Sequence, residues 1–410
     1  MSKKVIVIGA GASGLMCAGK CAENGHTVTL FEKNSRVGRK LMITGKGRCN
    51  VTNLCTSVDE LLENIPENGK FLYSAFSKMM PYDIMAFFED MGVPVKVERG
   101  NRVFPESDKA VDIVDALKKY VDKNGVNIIN LKVESIITEN GQAVGVTTEN
   151  GNSYYADAVV VATGGLSYPL TGSTGDGYKF AEKTGHNITK LSPSLVGLKC
   201  LEGWCEGAAG LSLKNVSLEI EDTFKSKIIY SDFGEMLITH VGVSGPMILS
   251  GSAHLRNMES GRYTLHIDLK PALSEEKLEL RLIRELTDNG SKTVKSAVLT
   301  LVPSSLAGVI LKKSGLAGSE KCGNITKEAR QKLLHTLKDL TLTVTDFCSM
   351  DEAIVTSGGV SVKDIDPKTM MSKKIQNLYF VGEVIDVDGY TGGFNLTIAF
   401  STGYLAGLSI

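Results

Sequence analysis

The sequence lacks the features of several protein classes. No apolar run among its 410 residues reaches the length of a membrane span, and no apolar leader precedes the first motif, so we expect a cytoplasmic protein. Its 45 basic and 46 acidic residues give a formal net charge of -1, which provides no overall field for nucleic acid or an acidic membrane. The composition therefore predicts a small-molecule substrate with no nucleic-acid or membrane partner, and it leaves the oligomeric state open.

Metal-binding and dithiol patterns are also missing. The eight cysteines include no C-x-x-C pair, and no cysteine–histidine cluster has the spacing of a zinc site. We therefore predict no metal site and expect most of these thiols to be buried in a reducing compartment. Cys49 is the exception, because it lies in an unusual basic loop where it can pack, contact a cofactor or act as a redox partner.

The first 32 residues have the pattern of a dinucleotide-binding unit. Lys4–Ile8 reads KVIVI, typical of a buried parallel strand, and leads into the G-x-G-x-x-G motif Gly9-Ala10-Gly11-Ala12-Ser13-Gly14. Helical spacing follows as far as Gly25, and a second strand then ends at Glu32. In such units the glycines permit a tight turn, close approach of a pyrophosphate and helix packing, while the acid binds the ribose hydroxyls. The motif alone does not separate NAD from FAD.

A long basic segment follows this unit. Gly38–Asn53 reads GRKLMITGKGRCNVTN and shows neither helix nor strand periodicity. Its cations can neutralise phosphate, its glycines let backbone N–H groups face a ligand, and its threonine and asparagine side chains supply short hydrogen-bonding groups. A solvated basic loop does not need this density of glycine, so the segment favours a role in covering the flavin half of FAD. The candidates here are Lys33, Arg39, Lys40, Thr44, Gly45, Lys46, Gly47, Arg48, Cys49, Asn50 and Asn53.

Three segments together resemble a known family. VIVIGAGASGLMCA, the basic segment and the C-terminal NLYFVGEVIDVDGYTGGFNLTIAFSTG are similar to bacterial FAD-dependent proteins called BaiN-like or YhiN-like, usually labelled NAD(P)/FAD-dependent oxidoreductases. The resemblance extends over nearly the whole chain. It implies an FAD fold related to that of fumarate reductases and aspartate oxidases.

The resemblance also implies further cofactor contacts. A helix after the glycine pair Gly392-Gly393 would direct its N-terminal dipole at the flavin pyrimidine ring. Glu383, at a position where the family commonly has aspartate, would hydrogen-bond the ribitol or the pyrophosphate. Tyr168 and Thr174 would approach the flavin, and Arg102 would bind an anionic substrate group unless it belongs to a plain surface hairpin. The implied cofactor residues are Val133, Ala162, Thr163, Gly164, Gly382, Glu383, Asp386, Gly392, Gly393, Phe394, Asn395 and Leu396.

The chain is long enough for two or three domains, and its composition changes near residue 191. We predict an α/β fold in which residues 1–190 and 352–410 form a Rossmann-like FAD domain. Residues 191–272 and 341–351 form an inserted β-barrel, and residues 273–340 form a helical subdomain. No second strand–G-x-G-x-x-G–helix unit occurs, so NAD(P)H is expected only as a transient reductant, or the donor is different.

Between the motifs, local patterns predict a helix over Phe71–Met91, a strand over Val93–Glu98, a turn at Val103–Pro105 and a helix over Ala110–Lys123. The strand and turn lie in the motif that holds Arg102.

Several functions remain open at this point. The resemblance implies an FAD-dependent oxidoreductase that transfers hydride through flavin N5 in a pocket covered by the insert, with NAD(P)H reducing a conjugated enone of 3-dehydro bile acids. The alternative that it implies is an oxidase of a small amine such as aminoacetone. His240 and Tyr168 are candidates for proton transfer. The alternative of another class is a non-catalytic flavin-binding protein that transfers electrons or has a regulatory role. A third hypothesis is an RNA-modifying flavoprotein, but the even charge balance of this sequence does not predict the basic surface expected of one.

Overall fold

The structure is a computed structural model that describes all 410 residues. The strands, numbered in chain order, are β1 Lys4–Ile8, β2 Thr27–Phe31, β3 Thr52–Asn53, β4 Val95–Glu98, β5 Arg102–Pro105, β6 Asn127–Ile129, β7 Val133–Glu139, β8 Gln142–Thr148, β9 Ser153–Tyr155, β10 Ala158–Val161, β11 Ser192–Ser194, β12 Leu198–Cys200, β13 Ser212–Asp222, β14 Lys227–Thr239, β15 Gly242–Ser244, β16 Tyr263–Asp268, β17 Leu340–Phe347, β18 Val355–Ser357 and β19 Leu378–Phe380.

The helices follow the same convention. They are α1 Ala12–Glu23, α2 Arg39–Ile43, α3 Val58–Leu62, α4 Tyr73–Lys78, α5 Pro81–Asp90, α6 Ala110–Lys123, α7 Asp176–Lys183, α8 Trp204–Gly207, α9 Pro246–Ser252, α10 Glu275–Asp288, α11 Val294–Val298, α12 Ser304–Lys313, α13 Lys327–Lys338 and α14 Phe394–Ser409. No helix combines the length and the apolar character that crossing a bilayer requires. The chain forms two compact units, the first from Met1–Ser194 with Ser349–Ile410 and the second from Leu195–Cys348.

A five-stranded parallel sheet in the order β19-β10-β1-β2-β6 forms the centre of the first unit. Its middle strands are built from β-branched residues because both of their faces are covered; Val5–Ile8 and Ala158–Val161 are buried throughout. Since the strands are parallel, their carboxyl ends meet at one edge. The glycine motif after β1, the segment after β10 and the segment after β19 are therefore brought together.

Helix α14 packs against α1 beside this sheet. Its sequence is apolar on nearly all sides, as expected of a helix without a solvent face, and ten of its sixteen residues are buried. The two helices approach closely at Gly403, where an added Cβ would lie 2.4 Å from the carbonyl oxygen of Ser13. Glycine at this position therefore allows the C-terminal helix to reach the first glycine motif.

The second unit contains a closed six-stranded barrel in the order β12-β15-β14-β13-β16-β17. Strand β16 alternates buried and half-buried residues, the period expected of a strand with one face toward a core. Helices α10 to α13 lie between β16 and β17 in the chain, and α10 buries Leu278, Leu282 and Leu286 at helical spacing. The predicted fold class, a Rossmann-type sheet with an inserted barrel and helices, is confirmed.

Three local predictions are wrong or incomplete. The helix over Phe71–Met91 is broken into α4 and α5, because Pro81 has no N–H and holds Met80 extended at ψ 166°. Val103–Pro105 is not a turn but part of β5, and the turn lies one step earlier, at Arg99–Asn101. The basic segment is not wholly irregular, since it contains the short helix α2, a 3-10 turn at Thr44–Gly47 and strand β3.

Candidate functional site

The first glycine motif forms a tight turn at the carboxyl end of β1. Gly9 has φ +101°, and an added Cβ there would lie 2.6 Å from the carbonyl oxygen of Ala162 after β10. An added Cβ at Gly14 would lie 1.9 Å from the carbonyl oxygen of Gly9. Both glycines are therefore fixed by contacts within the protein. Ala12 and Ser13 begin α1, and Ser13 Oγ donates to the carbonyl oxygen of Val381 at 3.4 Å.

Gly11 is in a different environment from the other two glycines. An added Cβ at this position would have no atom of the chain within 4 Å, and its backbone is extended, with φ -84° and ψ -167°. It directly precedes α1, a helix of 12 residues whose first N–H groups have no partner in the helix. No contact within the fold requires glycine at this position. An anionic group that approaches the start of α1 would require it, because a side chain here would stand in its way.

Glu32 directly follows β2 in the same region and is buried at 8% exposure. Its Oε2 accepts from the backbone N–H of Ala10 at 2.9 Å, and its Oε1 accepts from the backbone and side-chain N–H groups of Asn34 at 2.8 and 2.7 Å. Arg39 Nη1 donates to the side-chain oxygen Oδ1 of Asn34 at 2.9 Å. A carboxylate has about four acceptor positions, so a ribose that used both oxygens would displace Asn34.

Lys40 connects the basic segment to the C-terminal motif. From α2 its Nζ lies 2.7 Å from Glu383 Oε2 and 2.6 Å from Ser167 Oγ. Glu383 also accepts from Ser167 Oγ at 3.1 Å and from the backbone N–H of Thr356 at 3.0 Å. The Lys40 side chain is 23% exposed and that of Glu383 is 20% exposed. Sequence reasoning missed Ser167 and Thr356, because neither lies in a recognisable motif.

The turn that follows α2 has a left-handed backbone, which only Lys46 adopts without the freedom of glycine. Gly45, Lys46 and Gly47 are all left-handed, with φ of 56°, 58° and 84°. The Oδ1 atom of Asn50 is buried and has no hydrogen-bond partner in the protein. An unpaired buried acceptor is destabilising, so Asn50 is suited to receive a donor from a ligand.

Arg48 does not face an open site. Its guanidinium lies 2.5 Å from both Glu98 Oε1 and Asp108 Oδ1, and 4.1 Å from the centre of the Phe104 ring. The hydrogen bonds to the two carboxylates raise the pKa of Arg48 further above its usual range. In this arrangement Arg48 holds the basic segment against strands β4 and β5 rather than offering a free cation. Thr44, at the start of the turn, donates its hydroxyl to the carbonyl oxygen of Leu41 at 2.7 Å.

Cys49 is fully buried, and burial raises the pKa of its thiol to about 12. This environment suits packing or a cofactor contact better than thiolate chemistry. We therefore expect Cys49 in the native protein to resist alkylation by iodoacetamide at about pH 8, where an ordinary thiol begins to ionise. Peptide mapping by mass spectrometry measures this, with urea-unfolded protein as the control. Rapid labelling of native Cys49 would contradict this picture.

The start of α14 contacts the end of the basic segment. Gly393 has φ +108°, and an added Cβ would lie 2.3 Å from the carbonyl carbon of Thr52. Thr52 Oγ1 and Thr397 Oγ1 are 2.7 Å apart, and Asn53 Nδ2 donates to the carbonyl oxygen of Gly392 at 3.1 Å. All three motifs therefore meet in the first unit.

Two further residues of the C-terminal motif have structural contacts at this helix start. Asn395 accepts from the backbone N–H of Gly389 at 2.9 Å and donates to its carbonyl oxygen at 2.7 Å, while Phe394 is buried. Leu396 is partly buried against the core of the first unit. The first N–H groups of α14 lack partners within the helix, as at any helix start, so this end carries the positive end of the helix dipole.

The remaining cofactor candidates are spread around the same edge of the sheet. Thr163 Oγ1 is buried without a partner, and Gly164 has φ +73°. Gly382, with φ +74°, would place a Cβ 2.4 Å from Ser13 Oγ. Val133 is buried as the first residue of β7. Asp386 accepts from Asn68 Nδ2 at 3.1 Å.

Lys33 contacts the start of α7 and the residue two positions before it. Its Nζ lies 2.6 Å from Asp176 Oδ2 and 2.5 Å from Thr174 Oγ1. Burial alone would raise the pKa of Asp176, but the hydrogen bond and charge of Lys33 outweigh burial, and the pKa is lowered. Lys33 is therefore already paired.

The three candidates for substrate chemistry occupy different places. Tyr168 has a left-handed backbone, with φ +54°, and its ring centre is 5.9 Å from Lys40 Nζ. Arg102 is exposed on β5. His240 lies in the second unit, exposed in the turn between β14 and β15.

Comparisons with known proteins agree with this architecture. The family of the HI0933-like protein Rossmann domain matches residues 3–409. The ribosomal RNA dihydrouridine synthase of Haemophilus influenzae is 31% identical over 408 residues, which are 99% of this chain and 98% of that protein. The 3-dehydro-bile acid delta(4,6)-reductase of Clostridium scindens is 28% identical over 410 residues, with 98% of each chain covered.

A solved structure is similar in fold. The 3-ketosteroid delta1-dehydrogenase of Sterolibacterium denitrificans superposes with a TM-score of 0.52 at 13% identity, over 99% of each chain. Since the family match spans nearly all of the sequence, the predicted resemblance is confirmed, and the chain belongs to the HI0933-like family, a family of FAD-dependent oxidoreductases.

Proposed function

We propose that this protein is an FAD-dependent reductase of a carbon–carbon double bond conjugated to a carbonyl group, and that its substrate is a uridine in ribosomal RNA. The observation that carries the proposal is full-length similarity to two enzymes whose names describe the same change of bonding. Forming dihydrouridine saturates the uracil double bond next to a carbonyl group. Reducing a 3-dehydro-Δ4,6 bile acid saturates a double bond conjugated to the 3-oxo group.

The chain offers a coherent set of groups for FAD. We assign the pyrophosphate to the start of α1 at Gly11, where the fold leaves room beside unpaired N–H groups. The adenosine ribose would be held by Glu32 with displacement of Asn34, and the flavin half by the basic segment and the start of α14. When bound, the flavin supplies a hydride from N5.

Protein groups would orient the reacting partners and deliver the proton. The carbon next to the carbonyl group must gain a proton when the other carbon gains a hydride. Tyr168 is our candidate donor in the first unit because it lies beside the Lys40 ammonium. Lys40 itself is held by Glu383 and Ser167, an arrangement that fixes its position at this edge of the sheet.

A steroid enone is the second candidate substrate. It is supported by the Clostridium scindens relative, whose similarity also extends over 98% of both chains. The same hydride and proton chemistry would apply, with NAD(P)H as the proposed transient donor. The steroid would need an apolar pocket, whereas RNA would need cations near the site.

The proposal is tested by following the flavin and its products. Purified protein is expected to carry FAD, to be bleached anaerobically by NADH or NADPH, and to regain its absorbance with ribosomal RNA from a Haemophilus influenzae strain that lacks the relative's gene. Dihydrouridine in that RNA is then measured by mass spectrometry. Reoxidation by a 3-oxo-4,6-diene bile acid alone would replace the RNA assignment with the second candidate. Protein that neither contains FAD nor takes it up would overturn the proposal.

A further inference from the structure

The turn between β4 and β5 presents cations beside the candidate site. We infer that Arg99 and Arg102, together with Lys46, bind the phosphate backbone of the RNA around the target uridine. We call these three residues the cationic rim. The inference rests on the proposed function, because it deepens the RNA assignment by naming the surface that makes contact.

The position of the turn is set by hydrogen bonds to the site. Asn53 Nδ2 donates to the carbonyl oxygens of both Gly100 in the turn and Gly392 before α14, each at 3.1 Å. The backbone N–H of Leu54 donates to the carbonyl oxygen of Asn101 at 2.7 Å. A single buried side chain therefore joins the turn to the glycine pair at which α14 begins.

The cations of the rim are free, in contrast to their neighbours. Lys96 lies 2.8 Å from Asp108, and Arg48 is paired with Asp108 and Glu98. Arg99 and Arg102 are exposed and make no ion pair with a carboxylate. The only hydrogen bond of the Arg102 side chain is from its Nε to the carbonyl oxygen of Arg99 at 3.0 Å, which leaves its terminal N–H groups without a partner in the protein.

Lys46 adds a third exposed cation to this surface. It lies in the left-handed turn next to Gly45, where an added Cβ would be 3.5 Å from the ring of Phe104. Arg102 also approaches this ring, with its Cζ 5.9 Å from the ring centre. Lys46 is exposed, and its left-handed conformation is uncommon outside glycine, asparagine and aspartate.

Free cations on separate side chains suit a ligand with repeated negative charges. A bile acid carries one carboxylate, which a single arginine would satisfy, whereas an RNA strand has a phosphate at every nucleotide. Phosphate contacts position a nucleic acid without reading its sequence, and this is the task that remains when the target base occupies the active site. Three cations close to the site can position an RNA strand through its phosphates even though the net charge of the whole chain is -1.

The test is the salt dependence of RNA binding by flavin-loaded protein. The double variant Arg99→Gln/Arg102→Gln is expected to bind fluorescently labelled ribosomal RNA from the deletion strain roughly tenfold to a hundredfold more weakly. The slope of log K against log salt should become shallower by about 1.4 to 1.8, because two phosphate contacts are lost. The KM for RNA in dihydrouridine formation should rise in parallel.

A matched variant separates this effect from a general loss of charge. Lys123 and Lys183 are exposed near the far ends of α6 and α7, so Lys123→Gln/Lys183→Gln removes two charges away from the glycine motifs and should keep the wild-type slope. Circular dichroism and the flavin spectrum show whether each variant is folded. If wild type forms dihydrouridine and the arginine variant keeps its slope and KM, the rim is overturned while the proposed function stands. If the wild-type protein forms no dihydrouridine, the proposed RNA substrate is wrong, and the cationic rim, which depends on it, is overturned as well.

Discussion

Replacing Gly11 with alanine is expected to leave the protein folded and to weaken FAD binding strongly. The added methyl group meets no atom of the chain within 4 Å, and the extended backbone accepts an L side chain without strain. The free energy of unfolding should therefore change by less than about 1 kcal/mol. A methyl group between the start of α1 and a bound pyrophosphate should oppose binding by about 1.4 to 2.8 kcal/mol, which is roughly tenfold to a hundredfold in Kd.

The same substitution three residues later provides the matched comparison. In Gly14→Ala the methyl group would lie 1.9 Å from the carbonyl oxygen of Gly9, an atom of the backbone that cannot turn away. Alanine favours a helix by about 1 kcal/mol over glycine, but this gain is smaller than the clash, and we expect a net loss of about 3 kcal/mol or more. Urea unfolding and titration of stripped protein with FAD measure the two effects separately. An equal loss of stability in both variants would show that Gly11 is also a packing glycine.

How much of the site can be predicted from the sequence depends on how far apart its contacting residues lie in the chain. The turn from β1 into α1 is built within a dozen residues, so KVIVI followed by the glycine motif is enough to place both elements and the acid at the end of β2. The barrel strands and the helices of the second unit can be predicted in the same way, because the hydrophobic residues of each strand and helix recur with the period of that element. These features are local, and they are confirmed as elements of the fold.

Contacts between distant segments could not be read from the sequence in the same way. The sequence presents Arg48 as a free cation in a basic segment, yet its carboxylate partners are 50 and 60 residues away, on β4 and after β5. Ser167 reaches Glu383 across 216 residues. No local pattern encodes such pairs, because only the meeting of strand ends brings them together.

Net charge is a weak predictor of a nucleic-acid partner for a related reason. A value of -1 suggests that nucleic acid is not a partner, but it averages over the whole chain. Paired residues such as Arg48 and Asp108 contribute to the sum without affecting a ligand, whereas exposed and unpaired residues such as Arg99 determine the local field. The names of the relatives leave RNA open as a partner, and the unpaired cations are the feature that bears on it.

Replacing Gly393 with alanine is the second substitution for which we expect a large effect. Two penalties combine at this position: φ is +108°, which an L side chain rarely adopts, and the added methyl group would lie 2.3 Å from the carbonyl carbon of Thr52. Backbone strain alone amounts to about 1 to 3 kcal/mol. With the clash added, we expect the unfolding free energy of the first unit to fall by more than about 3 kcal/mol, and FAD to be lost because the basic segment no longer meets α14.

Gly47 offers a control that separates strain from contact. Its φ is also positive, at +84°, but an added Cβ would have no atom within 4 Å. Gly47→Ala should therefore lower the unfolding free energy by only about 1 kcal/mol, since strain is its only penalty. Urea midpoints and the FAD content of the two purified variants make the comparison. If Gly393→Ala is no less stable than Gly47→Ala, then the contact between the basic segment and the C-terminal helix does not hold the site together, because strain would account for the whole effect.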